Sequence, residues 1–248
     1  MERYSRQTMF PKLGVEGQKK LSRGKVLIVG LGGLGGNIAN SLVRAGVGMI
    51  RVVDKDVVSL SDLHRQVLFD EGDLGKNKAE VAYDKLRKVN SSIKIDAKVL
   101  GVNSENVEEL VKDVALVIDG TDNLGTRFII NDACVKHSKP WVYGAVTGST
   151  GMSMNILPGG PCLRCLIKAS LVSTSMQGGR FGIFNTTPAV IAAYEATEAV
   201  KILLNDKHVC KELVYLDVWD KTFNKISVKK DKSCTCCVKK DFEWLKKD

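Results

Sequence analysis

The sequence predicts an α/β fold: a mostly parallel sheet with helices on both faces, antiparallel C-terminal strands, and a four-cysteine knuckle. Three observations carry this expectation. Residues 26–29, Val-Leu-Ile-Val, run straight into Gly30-Leu-Gly-Gly-Leu-Gly35, the pattern of a buried parallel strand entering a glycine turn. Strand-like and helix-like stretches then alternate as far as residue 144, which puts helices on both faces of a parallel sheet. Finally, Cys162-x-x-Cys165 and Cys234-x-x-Cys237 stand far apart in the chain, each at the spacing of a metal knuckle.

Taken in order, residues 1–22 read as a polar arm with Arg3 and Arg6, ending in a short amphipathic helix over 15–21. After the first strand, apolar residues at helical spacing carry a helix from the glycines through Gly46. Residues 49–53 form a second strand ending at Asp54, and 56–75 a long connection. Helices are expected over 79–89, 107–111 and 126–137, and strands over 93–100, 115–118 and 141–144. This is a Rossmann-like, mostly parallel sheet. From Gly148 the pattern changes: an antiparallel strand over 151–157, a loop over 169–187, an amphipathic helix over 188–204, and a hairpin from 213–218 and 225–228. One domain over 1–248 is expected, with a nucleotide-binding α/β core over 1–147 and a zinc-stapled, acceptor-binding part over 148–248.

Composition narrows the classes. Hydrophobic residues make up 44% and charged residues 26%, ordinary for a soluble globular chain. No apolar run approaches the roughly 18 residues of a membrane span, and Met1 to Arg6 lacks the apolar core of a secretory signal. A cytoplasmic protein without a membrane partner is therefore expected. The net charge is +9. The lysines are scattered without interleaved aromatics, so nucleic acid is not the expected partner. Seven cysteines without a secretion signal argue against a disulfide framework.

The glycine turn is a phosphate-binding pattern: Gly30, Gly32 and Gly35 serve the tight turn, the approach to phosphate, and helix–strand packing. The helix that starts there offers free N–H groups and a positive dipole end to an anion. Asp54 lies where such folds hold a ribose hydroxyl, although an ordinary strand-end acid reads the same way. The two cysteine pairs supply four thiolates, a closed tetrahedral zinc site with no open coordination position. A redox dithiol is the rival reading. Spacing favours Cys237 over Cys236 as fourth ligand, and Lys229, Lys230, Lys232, Lys239 and Lys240 are placed to offset the thiolate charge.

Together these features resemble the MoeB/ThiF/HesA family, prokaryotic relatives of the ubiquitin-activating enzyme. The resemblance spans the chain. It rests on Arg3-Tyr-Ser-Arg-Gln7, Gly30-Leu-Gly-Gly-Leu-Gly35, Asp54-x-Asp-x-Val-x-x-Ser-x-Leu-x-Arg-Gln66, Gly75-x-x-Lys78, Thr121-Asp-Asn123 and the two knuckles. It implies ATP rather than NAD, and adenylation of a carboxylate with release of pyrophosphate. Gly33 then lies against the nucleotide, Asp54 holds the ribose, Arg65 and Lys78 contact the phosphates, and Asp122 carries magnesium. Arg6 reaches into the partner's site across a homodimer. Ser61, Asp62, Gln66 and Asn123 belong to the same implied nucleotide site.

Three departures bear on the acceptor. Asp62 stands where many members have Asn, and a carboxylate there repels a triphosphate unless it helps hold the metal or points away. Residues 166–200 contain no cysteine, so thiol transfer from that segment is not expected. Gly151-Met-Ser153 replaces the common Gly-Gln-Val. The expected acceptor is the C-terminal glycine of a ubiquitin-like sulfur-carrier protein. The alternative is a small-molecule carboxylate, such as the guanylylpyridinol precursor of the Fe-hydrogenase cofactor, as in the HcgE branch. An NAD-dependent oxidoreductase is the remote alternative. The loop at 169–187 is expected to border the acceptor's path.

Overall fold

The structure is a computed structural model that describes residues 2–167 and 182–246. Among these, eight strands form one sheet in the order β3-β2-β1-β4-β5-β6-β7-β8. Helices α1 (Ser5–Thr8) and α2 (Gly14–Leu21) precede β1 (Lys25–Val29). The core then alternates through α3 (Gly33–Ala45), β2 (Met49–Val53), α4 (Lys78–Val89), β3 (Lys94–Lys98), α5 (Val107–Lys112), β4 (Leu116–Asp119), α6 (Leu124–Lys136) and β5 (Trp141–Thr147). Strands β1 to β5 pair in parallel. β6 (Thr150–Ile156) turns back on β5. After α7 (Leu163–Leu166) and α8 (Thr186–Leu204), β7 (Leu213–Asp217) and β8 (Thr222–Ile226) extend the sheet antiparallel.

Alternation along β1 explains the two cores. Ile28 faces the cluster under α3, α4 and α8, with Ile38, Leu42, Leu86 and Ile191. Leu27 faces the opposite cluster, with Phe128, Trp141 and the cysteines. Val26 to Val29 are at most 4% exposed, and each such side chain contributes about 1.5–3 kcal/mol. With both faces covered, the strand has no polar side, which is why it reads as a continuous apolar run.

Boundaries differ from the sequence expectation where side chains cap or close elements. The helix expected from Thr126 starts at Leu124, because the Asn123 side chain accepts from the Thr126 N–H at 2.9 Å. The second hairpin strand runs 222–226 rather than 225–228, because the Asp217 carboxylate accepts from the Trp219 and Asp220 N–H groups and closes the turn there. The helix expected over 188–204 begins at Thr186 and is not simply amphipathic: Glu195 and Glu198 are fully buried on the face toward the sheet. Much of the loop expected over 169–187 lies outside the described residues.

The parallel strands bring their carboxyl ends to one edge. Val29, Val53 and Asp119 end there, and α3, α4 and α6 begin there. Backbone N–H groups of several helix N-termini therefore converge on one side of the sheet.

Candidate functional site

A cleft of about 410 Å³ opens at this edge, lined by the glycine turn and by Asp54, Arg65, Gln66, Lys78, Asp122 and Asn123. Two glycines make it possible. Gly30 has φ +85°, and a Cβ there would lie 2.7 Å from the Gly120 carbonyl oxygen. A Cβ on Gly35 would lie 1.8 Å from the Gly30 oxygen, so the first turn of α3 folds directly over the strand end. Gly32 and Gly33 line the cleft, whereas Gly35 is buried beneath it.

Asp54 is held by its own loop. One carboxylate oxygen accepts from the Leu31 N–H at 2.7 Å, the other from the Asp56 N–H at 2.8 Å. Burial pushes its carboxyl above the usual range, partly offset by these N–H donors. The paired donors fix the carboxylate's orientation at the cleft wall.

Asp62 does not line the cleft. It is 7% exposed and turned inward. Its carboxylate accepts from the Ser59 N–H and hydroxyl, and from Gln66 Nε2 at 2.7 Å. It pairs with Lys78 Nζ at 3.1 Å and Arg65 at 3.4 Å. Burial alone would raise its carboxyl; the Ser59 bonds and the Lys78 ammonium outweigh that and hold it low. The acid at this position thus points away from the cleft and sets three cleft side chains in place. Lys78 opens α4, whose N-cap Asn77 accepts from the Ala79 N–H. Ser61 is exposed outside the cleft, and its carbonyl accepts from Arg65 Nη1 at 2.8 Å. Arg6 is exposed on α1 and does not line the cleft of its own chain.

The cysteine pairs meet on the far side of the sheet. The Sγ atoms of Cys162, Cys165, Cys234 and Cys237 all lie within 4.8 Å of one another. Two of these separations are 3.7 Å (Cys162–Cys234) and 3.5 Å (Cys165–Cys237). Sulfurs about 2.3 Å from a tetrahedral centre stand about 3.8 Å apart, so the four thiols fit a zinc ion. Cys236 instead accepts from Asn131 Nδ2 at 3.3 Å. Accordingly, Cys237→Ser is expected to lower bound metal by about one equivalent and to loosen the tail, whereas Cys236→Ser keeps the metal. Metal analysis of the purified variants checks this; equal loss in both would reverse the assignment. The tail itself lies on α6, where Trp244 stacks on Phe128 with ring centroids 5.2 Å apart.

The profile of the ThiF family matches residues 4–237. The chain belongs to the ThiF family. It is 38% identical over 250 residues to the sulfur carrier protein ThiS adenylyltransferase of Bacillus subtilis (strain 168), covering 98% of this chain and 73% of that protein. It is 38% identical over 245 residues to the sulfur carrier protein adenylyltransferase of Thermus thermophilus, covering 96% of this chain and 90% of that one. Among solved structures, E. coli MccB with ATP has a TM-score of 0.84 at 25% identity, covering 96% of this chain and 74% of that chain.

One part of this ThiF-family site escapes sequence reading. Asp119 ends β4 fully buried, and its Oδ1 accepts from both the N–H and the hydroxyl of Thr121. Its Oδ2 accepts from Arg127 Nε at 2.8 Å. Arg127 Nη2 donates to the carbonyls of Thr121 (2.6 Å) and Gly144 (2.8 Å). The turn that presents Asp122 to the cleft is therefore tied to α6 and to β5 through one buried guanidinium. The only local sign of it is an arginine in the first turns of the helix, followed directly by the apolar run Phe128-Ile-Ile130. Thr126 likewise lines the cleft without any spacing that announces it. Among the described residues, no helix is long and apolar enough to cross a membrane.

Proposed function

We propose that this chain is an ATP-dependent adenylyltransferase whose acceptor is the C-terminal glycine carboxylate of a ubiquitin-like sulfur-carrier protein. The observation that carries this reading is the cleft: a glycine turn at a helix start, flanked by Arg65 and Lys78 and faced by Asp122, in a ThiF-family chain. The names of its relatives in Bacillus subtilis and Thermus thermophilus supply the acceptor class. Within the Gly151-Met-Ser153 departure, Ser153 is 1% exposed and pairs with Gly144 inside the sheet, so that half of the change concerns packing, whereas Met152 is half-buried on the opposite face.

In the proposed reaction, an acceptor carboxylate oxygen bonds to the α-phosphorus. The bond between that phosphorus and the bridging oxygen to the β-phosphate breaks, and its electron pair leaves with pyrophosphate. The nucleophile is ionised at neutral pH, so no general base is required. The barrier is electrostatic: an anion approaches a polyanion, and charge builds on the leaving group. Arg65 and Lys78, preset by Asp62, supply fixed positive charge without reorganisation. N–H groups at the start of α3 add to it. Asp54 takes the ribose. Magnesium held by Asp122 would add Lewis-acid neutralisation of phosphate oxygens. Zinc on the four cysteines would have no open position, and its role is to staple the tail.

ATP–pyrophosphate exchange, run with a sulfur carrier ending in glycine and separately with small carboxylates, tests the reading. Mass spectrometry for the acyl-adenylate completes it. Carrier-dependent exchange is the expected result. Exchange only with a small carboxylate would transfer the acceptor to the alternative class.

A homodimer with Arg6 acting in the partner's cleft is part of the proposal. Arg6→Ala and Lys78→Ala are each expected to be nearly inactive alone. Mixed, they form hybrids with one intact site, restoring about half of the parent exchange per hybrid dimer. Verified hybrids without recovery would remove Arg6 from the site.

A further inference from the structure

Glu195 is a buried acid that the proposed chemistry does not use. It sits mid-way along α8, 0% exposed, and among the described residues neither carboxyl oxygen has a hydrogen-bond partner. The backbone of β5 makes room for it: a Cβ on Gly144 would lie 2.0 Å from Oε1 and 2.6 Å from Cδ. Across the β5–β6 pair, Ser153 stands opposite Gly144, and its buried hydroxyl also has no partner among the described residues. The carboxyl thus fills a slot over Gly144, the residue whose carbonyl accepts from Arg127.

The charged and titratable groups around it are few. β4 contributes Asp119, α6 contributes Arg127, and β5 contributes Tyr143, whose ring lies 5.3 Å from the Arg127 guanidinium carbon. β6 contributes no charged group, but the Ser153 hydroxyl and, two residues along the same face, Asn155, whose Nδ2 donates to Glu198 one turn along α8. The sole charged residue of α3, Arg44, is exposed at its far end, and those of α2, Glu16, Lys19 and Lys20, are exposed. Arg127 is already matched by Asp119, so an ionised Glu195 would be an uncompensated buried charge. Burial pushes its carboxyl well above the usual range; the Asp119 charge adds to this and Arg127 opposes it.

We propose that Glu195 is a positioning residue of the nucleotide site: a carboxylic acid kept protonated over Gly144, which leaves Arg127 wholly committed to Asp119 and to the Thr121 and Gly144 carbonyls. Losing its proton would place a second negative charge on the α8 face, across β5 from Arg127, and draw on the guanidinium that holds the Thr121 and Gly144 carbonyls. The turn bearing Asp122 would lose its anchor. The active-site part of this inference rests on the nucleotide-site reading above; the protonation part does not.

The sign of the pH effect follows from the fold holding a proton that the unfolded chain releases. Above the ordinary carboxylate range, the native state binds one more proton than the unfolded state, so stability falls as pH rises until native Glu195 ionises. Glu195→Gln, the isostere of the neutral acid, lacks this dependence. Three measurements on the full-length protein test the proposal. Infrared spectra at neutral pH should contain a protonated-carboxyl band that shifts with carbon-13 glutamate labelling of the parent and is missing from Glu195→Gln. Above the ordinary carboxylate range, and up to the pH at which native Glu195 ionises, the folding equilibrium constant of the parent should fall relative to that of Glu195→Gln, by at most about tenfold per pH unit. ATP–pyrophosphate exchange should survive in Glu195→Gln and decline less on the alkaline side than in the parent. No labelled protonated band in the parent, or no divergence in stability, overturns the protonation. If the band is present but both proteins share one alkaline limb, the positioning role falls. If neither protein exchanges pyrophosphate, the nucleotide reading fails while the first two measurements still decide the state of Glu195.

Discussion

Asp122→Ala is expected to lower ATP–pyrophosphate exchange by about 10²–10³-fold, the effect of removing one fixed electrostatic element from a phosphoryl site. Stability should hardly change. Asp122 is exposed at the cleft, between a Thr121 anchored by Asp119 and an Asn123 that caps α6. Neither of those contacts uses its side chain, and exposed substitutions of this kind stay within about 0.5 kcal/mol. The discriminating measurement is a magnesium titration of exchange alongside a melting curve. Unaltered melting with lost exchange and a weakened magnesium response supports the metal role. Exchange within about threefold of the parent would end it, since a metal-bearing carboxylate is worth more than that.

Arg127→Met is expected to act the other way round, on stability first. The substitution keeps much of the side-chain volume but leaves Asp119, fully buried, without its cation. Breaking such a pair costs about 3–5 kcal/mol, which for a domain of this size lowers Tm by about 10 °C. It also removes the donors to the Thr121 and Gly144 carbonyls, so exchange should fall even at temperatures where the variant is folded. The double change Asp119→Asn with Arg127→Met should recover part of the stability, because the orphaned charge is gone, but little of the exchange. A single variant that melts with the parent would show that Asp119 finds another partner. In that case the guanidinium would not be the anchor of the Asp122 turn.

Asp62 shows how a local anomaly can be resolved only in three dimensions. In sequence it is an acid where a phosphate site calls for none. In the fold it caps its own turn with Ser59 and faces Lys78 and Arg65 from behind. It does not enter the cleft; it aims the cations that line it. Burial of those cations without it would be unfavourable, since Lys78 is only 6% exposed.

Helix α8 shows the opposite case. Its sequence reads as a helix with one apolar and one polar face, and Glu195 and Glu198 look like members of the polar one. In the structure both point into the protein. Glu198 is satisfied there by Asn155, the Cys210 N–H and Lys201, while Glu195 has no such partner among the described residues. Nothing within a turn of either residue announces this, because burial of a helix face depends on what packs against it. Here the close approach is set by β5 and β6, where glycines at 144 and 151 let α8 settle onto the sheet.

By itself, the sequence determined what depends on neighbours a few residues apart: the strand that ends in glycines, the acid at the end of the second strand, the x-x spacing within each cysteine pair, and the order of the motifs. Short-range chemistry needs only short-range sequence. Only the tertiary structure decided the rest. It brought the knuckles of Cys162 and Cys234 together, left Cys236 to Asn131, turned Asp62 behind the cations, and tied Asp119, Arg127 and Gly144 under the cleft. Those arrangements join residues from different strands and helices. Their energies come from burial and from pairing charge away from water, and both exist only once the sheet is assembled.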